Sequence, residues 1–199
     1  MRTICIGLFL LSVTLSWAQE EETRYLFEID STWAREIFPF PIGFAQDIPY
    51  EGFEDAVFTP GWAKPESPQY WSYVIGWAIK AEKPLETTDL EVNMERYFNG
   101  LMRVAEQQKE HPAILPTTAL FVNTETHGDE TFFTGKIRVY DNFKGKQMMT
   151  LYFQVHQYFC PESKAGVLVF RCSIKPFEDA IWEELKAIPL RKDHCGVVD

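Results

Sequence analysis

QMMTLYFQVHQYFC, residues 147–160, and GVLVFRCSIK, residues 166–175, are the stretches on which the fold turns. Successive side chains along a strand point to opposite faces, so a two-residue hydrophobic period sorts a strand into a core side and an outer side. Residues 161–165 (PESKA) carry turn chemistry between the two runs, which makes them a hairpin. Pairing Pro161 with Gly166 sets Val155 opposite Cys172 and His156 opposite Arg171. One face then holds Leu151, Phe153, Val155, Phe159, Leu168, Phe170, Cys172 and Ile174, and is expected to be core beneath the helices. The other holds Tyr152, Gln154, His156, Tyr158, Arg171 and Ser173.

Residues 131–140 extend the same sheet. With Ile137 and Val139 inward, Thr134, Lys136, Arg138 and Tyr140 join the outer face. The expected result is a tyrosine-rich surface set with cations, and Arg138, Tyr140, Tyr152, Gln154, His156, Tyr158 and Arg171 are its candidate ligand-binding residues. Antiparallel sheets ordinarily solvate one face with such residues, so a surface of this composition is also compatible with no ligand.

Further out, residues 117–123 read as another strand, and residues 70–80 (YWSYVIGWAIK) as a strand apolar on both faces. A helix separates them. Thr88 and Glu91 fit a capping box, and Leu90, Met94, Tyr97, Leu101 and Ala105 recur at helical spacing with Phe98 and Met102 beside them, as far as about Gln108. Pro176 opens a second helix with Phe177, Ile181, Leu185 and Ile188 on one face, ended by Pro189. Residues 25–29 suit a short first strand.

Residues 33–69 hold six of the chain's 12 prolines, interleaved with seven phenylalanine, tyrosine and tryptophan residues from Phe38 to Trp62. Proline at that density opposes both helix and central strand, whereas the rings argue for packing onto a surface. The segment therefore reads as a long aromatic, proline-rich loop. The resulting expectation is an α+β domain: a mostly antiparallel sheet of five to six strands, two helices on one face, and this loop.

The N-terminus reads as an export signal. Arg2 precedes an apolar run, and Ser16-Trp17-Ala18 offers small residues at a cleavage site, leaving residues 19–199 as one domain. The run is too short for a permanent membrane helix, and no later stretch approaches one. The product is expected in a periplasm or outside the cell. A net charge of −10 makes nucleic acid a poor partner. After cleavage three cysteines remain. Cys160 and Cys172 fall five positions out of register in the hairpin, so the expected bridge joins Cys160 to Cys195 and leaves Cys172 as a buried thiol.

Chemistry-bearing motifs are sparse. Glu125, His127, Asp129 and Glu130 cluster around a turn at Gly128, where carboxylates and an imidazole suit a divalent metal, yet one histidine falls short of a usual ligand set. Asp47, Glu51, Glu54 and Asp55 supply carboxylates for a glycosidase-type pair, with acidic surface residues as the plainer reading. There is no Gly-x-Ser-x-Gly elbow, phosphate loop or paired CxxC, and no cofactor is expected.

Phe58-Thr59-Pro60-Gly61-Trp62, Pro65-Glu66-Ser67, Trp71-Ser72-Tyr73 and Trp77 together resemble a segment of uncharacterised exported bacterial proteins, across about residues 38–102. The order of elements resembles the PsbP-like fold in layout. That likeness implies a non-enzymatic accessory or binding protein. The expected function is thus a non-catalytic exported module that binds a small ligand or a protein partner, with a carboxylate- or metal-dependent hydrolase as the alternative.

Overall fold

The computed structural model describes residues 24–106 and 115–198. The expected signal, residues 1–18, and the expected helix end near Gln108 lie outside them. The element order is β1 (Ala34–Phe40), β2 (Gly52–Phe58), β3 (Tyr73–Lys80), α1 (Thr87–Glu106), β4 (Thr118–His127), β5 (Glu130–Tyr140), β6 (Met148–Cys160), β7 (Ala165–Ser173) and α2 (Ile181–Lys186). The seven strands form one antiparallel sheet in the order β1-β2-β3-β7-β6-β5-β4. Among the described residues no helix is long and apolar enough to cross a membrane.

The proline-rich stretch is not a loop throughout. It contributes β1 and β2, which pair over seven positions. Pro39 is tolerated because β1 is the sheet's edge, where a missing N–H breaks no ladder. β2 contains no proline. Its interior is buried from Phe53 to Val57, so it shows no alternation to read. Residues 25–29, by contrast, form no strand of the sheet. Phe27 makes one bridge to Leu190, and the Asp55 carboxylate accepts the Leu26 and Phe27 amides at 2.7 and 3.1 Å.

The late hairpins sort as their alternation requires, with one correction. Val155 pairs with Phe170 and His156 with Val169, two residues from the expected register, because the turn spans residues 161–164 and Cys160 faces Ala165. A two-residue slip leaves every side chain on its expected face. Leu151, Phe153, Val155, Leu168, Phe170 and Cys172 are buried against Leu90, Met94, Phe98 and Met102 of α1. Each such apolar side chain contributes on the order of 1.5–3 kcal/mol. Phe159 is only half-buried.

The second helix does not join the first. α2 packs on the opposite face, where Ile181, Trp182 and Leu185 share a second core with Leu26, Phe27, Val74 and Val169. The sheet is therefore sandwiched. α1 and residues 42–48 cover the front, and the N-terminal and C-terminal segments cover the back.

α1 also begins earlier than its expected capping box. The Leu90 amide donates to the Glu86 carbonyl at 3.1 Å, while Asp89 Oδ2 accepts the Glu86 amide at 2.9 Å. Glu91 is used elsewhere. The β4 amides of Phe121 and Ala119, and that of Thr117 just before it, donate to Glu91 (3.0 Å), Glu95 (3.0 Å) and Asn99 (2.9 Å) on α1. Four helical residues rise about 6 Å and two strand residues about 6.7 Å, so the two ladders stay in step over three bonds.

Candidate ligand-binding cavity

One end of the front core is not filled. A cavity of about 260 Å³ lies between β1–β3, the second half of α1, residues 58–63 and the β5–β6 connection. Its walls are rings: Phe38, Phe58 and Tyr73 from the strands, Phe44 from the loop after β1, and Tyr97 from the helix. Trp62, Tyr70, Trp71 and Phe143 complete it from the loops. Local folding explains their positions. The hairpin-like path of residues 59–72 is closed by Trp71 N–H donating to the Trp62 carbonyl at 2.9 Å, and by the Thr59 hydroxyl donating to the Ser72 carbonyl at 2.9 Å. Trp71 takes φ of 51°, a left-handed conformation that a bulky side chain rarely adopts. Such residues concentrate at ligand sites.

Tight edge-on ring contacts hold the walls, among them Phe44 to Tyr97 at 5.0 Å and Phe38 to Phe44 at 5.9 Å. Gly100 on α1 is what lets residue 44 approach, since a Cβ there would lie 1.9 Å from the Phe44 carbonyl oxygen. The exposed lining residues are Glu36, Ala63, Phe143 (42% exposed) and Lys144, which mark the mouth.

Behind the cavity sits a buried carboxyl. Glu54 is 0% exposed, and it accepts the Trp77 indole N–H at 2.8 Å and the Tyr97 hydroxyl at 2.9 Å. Burial pushes its pKa up to about 7, with the two donors opposing and the Asp55 and Glu36 charges adding to the rise. Burial likewise raises Tyr97, and the neighbouring Glu54 reinforces it. Asp55 faces the back instead, with Arg35 Nε 3.1 Å away. Glu54 and Asp55 are thus not surface acids, and adjacent strand positions put them on opposite sides of the sheet, where they cannot act as a pair across one cleft. Glu51 is exposed and bonded to Lys80 at 3.0 Å.

The expected outer-face set is distributed differently. Much of it lies beneath the chain's own C-terminal segment. Arg171 Nε donates to the Leu185 carbonyl at 3.2 Å, the Phe177 ring meets Tyr152 edge-on at 5.4 Å, and His194 lies 4.7 Å from Tyr158. Arg138 is exposed and pairs across to Thr150, whereas Arg171 pairs to Gln154. Four residues along a strand separate them, about 13 Å, too far to share one small anion. Lys136 lies over the Tyr152 ring at 5.0 Å, and the Tyr140 hydroxyl donates to the Lys146 carbonyl at 2.8 Å.

His156 is stacked between Phe132 (4.0 Å) and Tyr158 (3.9 Å). Glu130 lies 2.8 Å from its Nε2 and the Tyr158 hydroxyl 2.8 Å from its Nδ1. In the neutral ring, Tyr158 donates to Nδ1 and Nε2–H donates to Glu130. Burial lowers the His156 pKa, against the pull of Glu130. With both nitrogens engaged and both ring faces covered, His156 serves as a packing element of the back layer.

Of the metal candidates, Glu125 and His127 meet at 2.6 Å in an exposed pair, and Asp129 turns its carbonyl to the Phe159 amide. Among the described residues no three histidine, cysteine or acidic side chains converge as a metal site. Cys160 and Cys195 form a disulfide with Cα atoms 5.8 Å apart, and Cys172 is a buried free thiol whose pKa is pushed well up by burial, which keeps it protonated.

The cavity itself was not read from the sequence. Its signal was present in the aromatic density of residues 38–62, but Tyr97 and Phe143 reach it from distant elements. Comparison of the chain with protein families, characterised proteins and solved structures finds no match, so geometry alone carries the reading of this site.

Proposed function

We propose that this chain is an exported, non-catalytic binding protein whose aromatic cavity takes a small organic molecule with an apolar body. The observation that carries this reading is the cavity of about 260 Å³ walled mainly by rings. An apolar cavity of about 150 Å³ holds a single benzene, so this one suits about two fused rings or a branched group of that size. Its lining is mostly apolar with few polar groups, the make-up of a small-molecule site. The sequence of residues 1–18, with Arg2, an apolar run and small residues at a cleavage site, supports export to a periplasm or beyond.

The test is titration with 2-naphthol, followed by heteronuclear NMR of the Trp62, Trp71 and Trp77 indole N–H signals. The expected result is saturable binding that moves these resonances. Leu101→Trp plugs the cavity from α1, and Ala63→Trp blocks its mouth. Both variants should keep the native circular dichroism spectrum and lose binding. Absence of saturable binding, or binding unaltered by both plugs, overturns the proposal.

A further inference from the structure

We propose that the natural occupant of the cavity is an organic cation, an amine or quaternary ammonium carrying apolar substituents, held against the ring faces. This rests on the cavity being a ligand site and names the class of ligand. An aromatic face is the negative end of a ring quadrupole, so a cage of rings attracts a cation whose own surface is too greasy for water to hold strongly; tryptophan does so best. Trp62 and Trp71 both line the cavity.

Carboxyl groups around the cavity favour the same occupant, and three of the adjoining segments supply them. β1 contributes Glu36 on the lining. Behind the rings, β2 places Glu54, which accepts the Tyr97 hydroxyl at 2.9 Å and carries charge only once the pH passes about 7, and the β5–β6 connection places the buried Asp141, which accepts the Tyr70 hydroxyl at 3.2 Å. A phenol donating to a carboxyl group gains electron density in its ring when that group is ionised, so two of the cavity's tyrosines are made better cation acceptors by acids standing behind them. The lining itself carries one carboxylate, Glu36, and one ammonium, Lys144, which is exposed at the mouth on a flexible stem, while the Lys146 ammonium nearby donates to the Asn142 carbonyl and side chain. A net charge of −10 adds a long-range field that draws cations in. A neutral aromatic ligand uses the rings and gains nothing from the Glu36 carboxylate on the lining.

The experiment compares two molecules of nearly identical shape, (2-hydroxyethyl)trimethylammonium and 3,3-dimethylbutan-1-ol, by calorimetry and by the same indole N–H shifts. The cation is expected to bind at least tenfold more tightly. Glu36→Gln should weaken the cation several-fold while leaving the alcohol unchanged, and Lys144→Met should strengthen the cation. Equal or tighter binding of the alcohol overturns the inference and leaves the cavity standing as a site for neutral ligands. Failure of both molecules while 2-naphthol binds also overturns it. Failure of all three removes the underlying reading as well.

Discussion

Replacing Glu54 by glutamine should abolish a large part of the pH dependence of stability. Glu54 has a folded pKa of about 7 against an ordinary 4.5. Between these values the folded chain holds a proton that the unfolded chain has released, so stability falls as pH rises through the window. The contribution is complete below pH 4.5 and gone above about pH 8. At about 1.4 kcal/mol per unit, a rise of this size amounts to roughly 3 kcal/mol. Glutamine is neutral throughout and keeps both partners, since its carbonyl can accept the Trp77 N–H while its amide donates to the Tyr97 oxygen. Urea unfolding of both proteins at pH 4.5, 6 and 8, disulfide intact, isolates the effect because all other titrating groups are shared. The stability difference, variant minus wild type, should become more positive by about 3 kcal/mol from pH 4.5 to 8, where the variant becomes the more stable protein. A difference that stays constant across the range refutes the assignment of a buried, titrating carboxyl.

Two further outcomes follow from the packing. Reducing the Cys160–Cys195 bridge, which closes a separation of 35 residues, should cost roughly 3–4 kcal/mol, read as a fall in unfolding midpoint under reducing conditions; an unchanged midpoint would show that the C-terminal segment is held by packing alone. Gly100→Ala ordinarily stabilises a helix by about 1 kcal/mol. Here the new methyl meets the Phe44 carbonyl, so the variant should instead lose about 1–3 kcal/mol and bind 2-naphthol less well, because the wall carrying Phe44 must retreat.

What could be read from the residues was what depends on near neighbours. α1 and the faces of β5, β6 and β7 announce themselves because one side of each meets core and the other meets something more polar. β2 does not, because Phe53 to Val57 are buried on both sides and carry no alternation. β1 was hidden by Pro39, whose tolerance depends on a place at the sheet edge that local sequence does not reveal. Periodicity marks the apolar stripe of Ile181 and Leu185 but not the side of the sheet over which they fold, so α2 fell on the unexpected face and covered Arg171 and Tyr158. The rings of residues 38–62 were legible as packed. The hollow they leave depends on how Tyr97, Leu101 and Phe143 meet them, and a shortfall of packing among distant residues leaves no trace in any one segment.

The pegs from Glu91, Glu95 and Asn99 into the backbone of residues 117–121 have a mechanical corollary. A helix clasped along its length to a sheet margin cannot tilt away without stranding three main-chain amides at once. The wall that α1 gives the hollow is thereby anchored to the sheet margin from Glu91 to Asn99. The same pegs occupy the positions a foreign strand would need there, so this margin of the sheet resists fibre-like extension without a single proline to guard it.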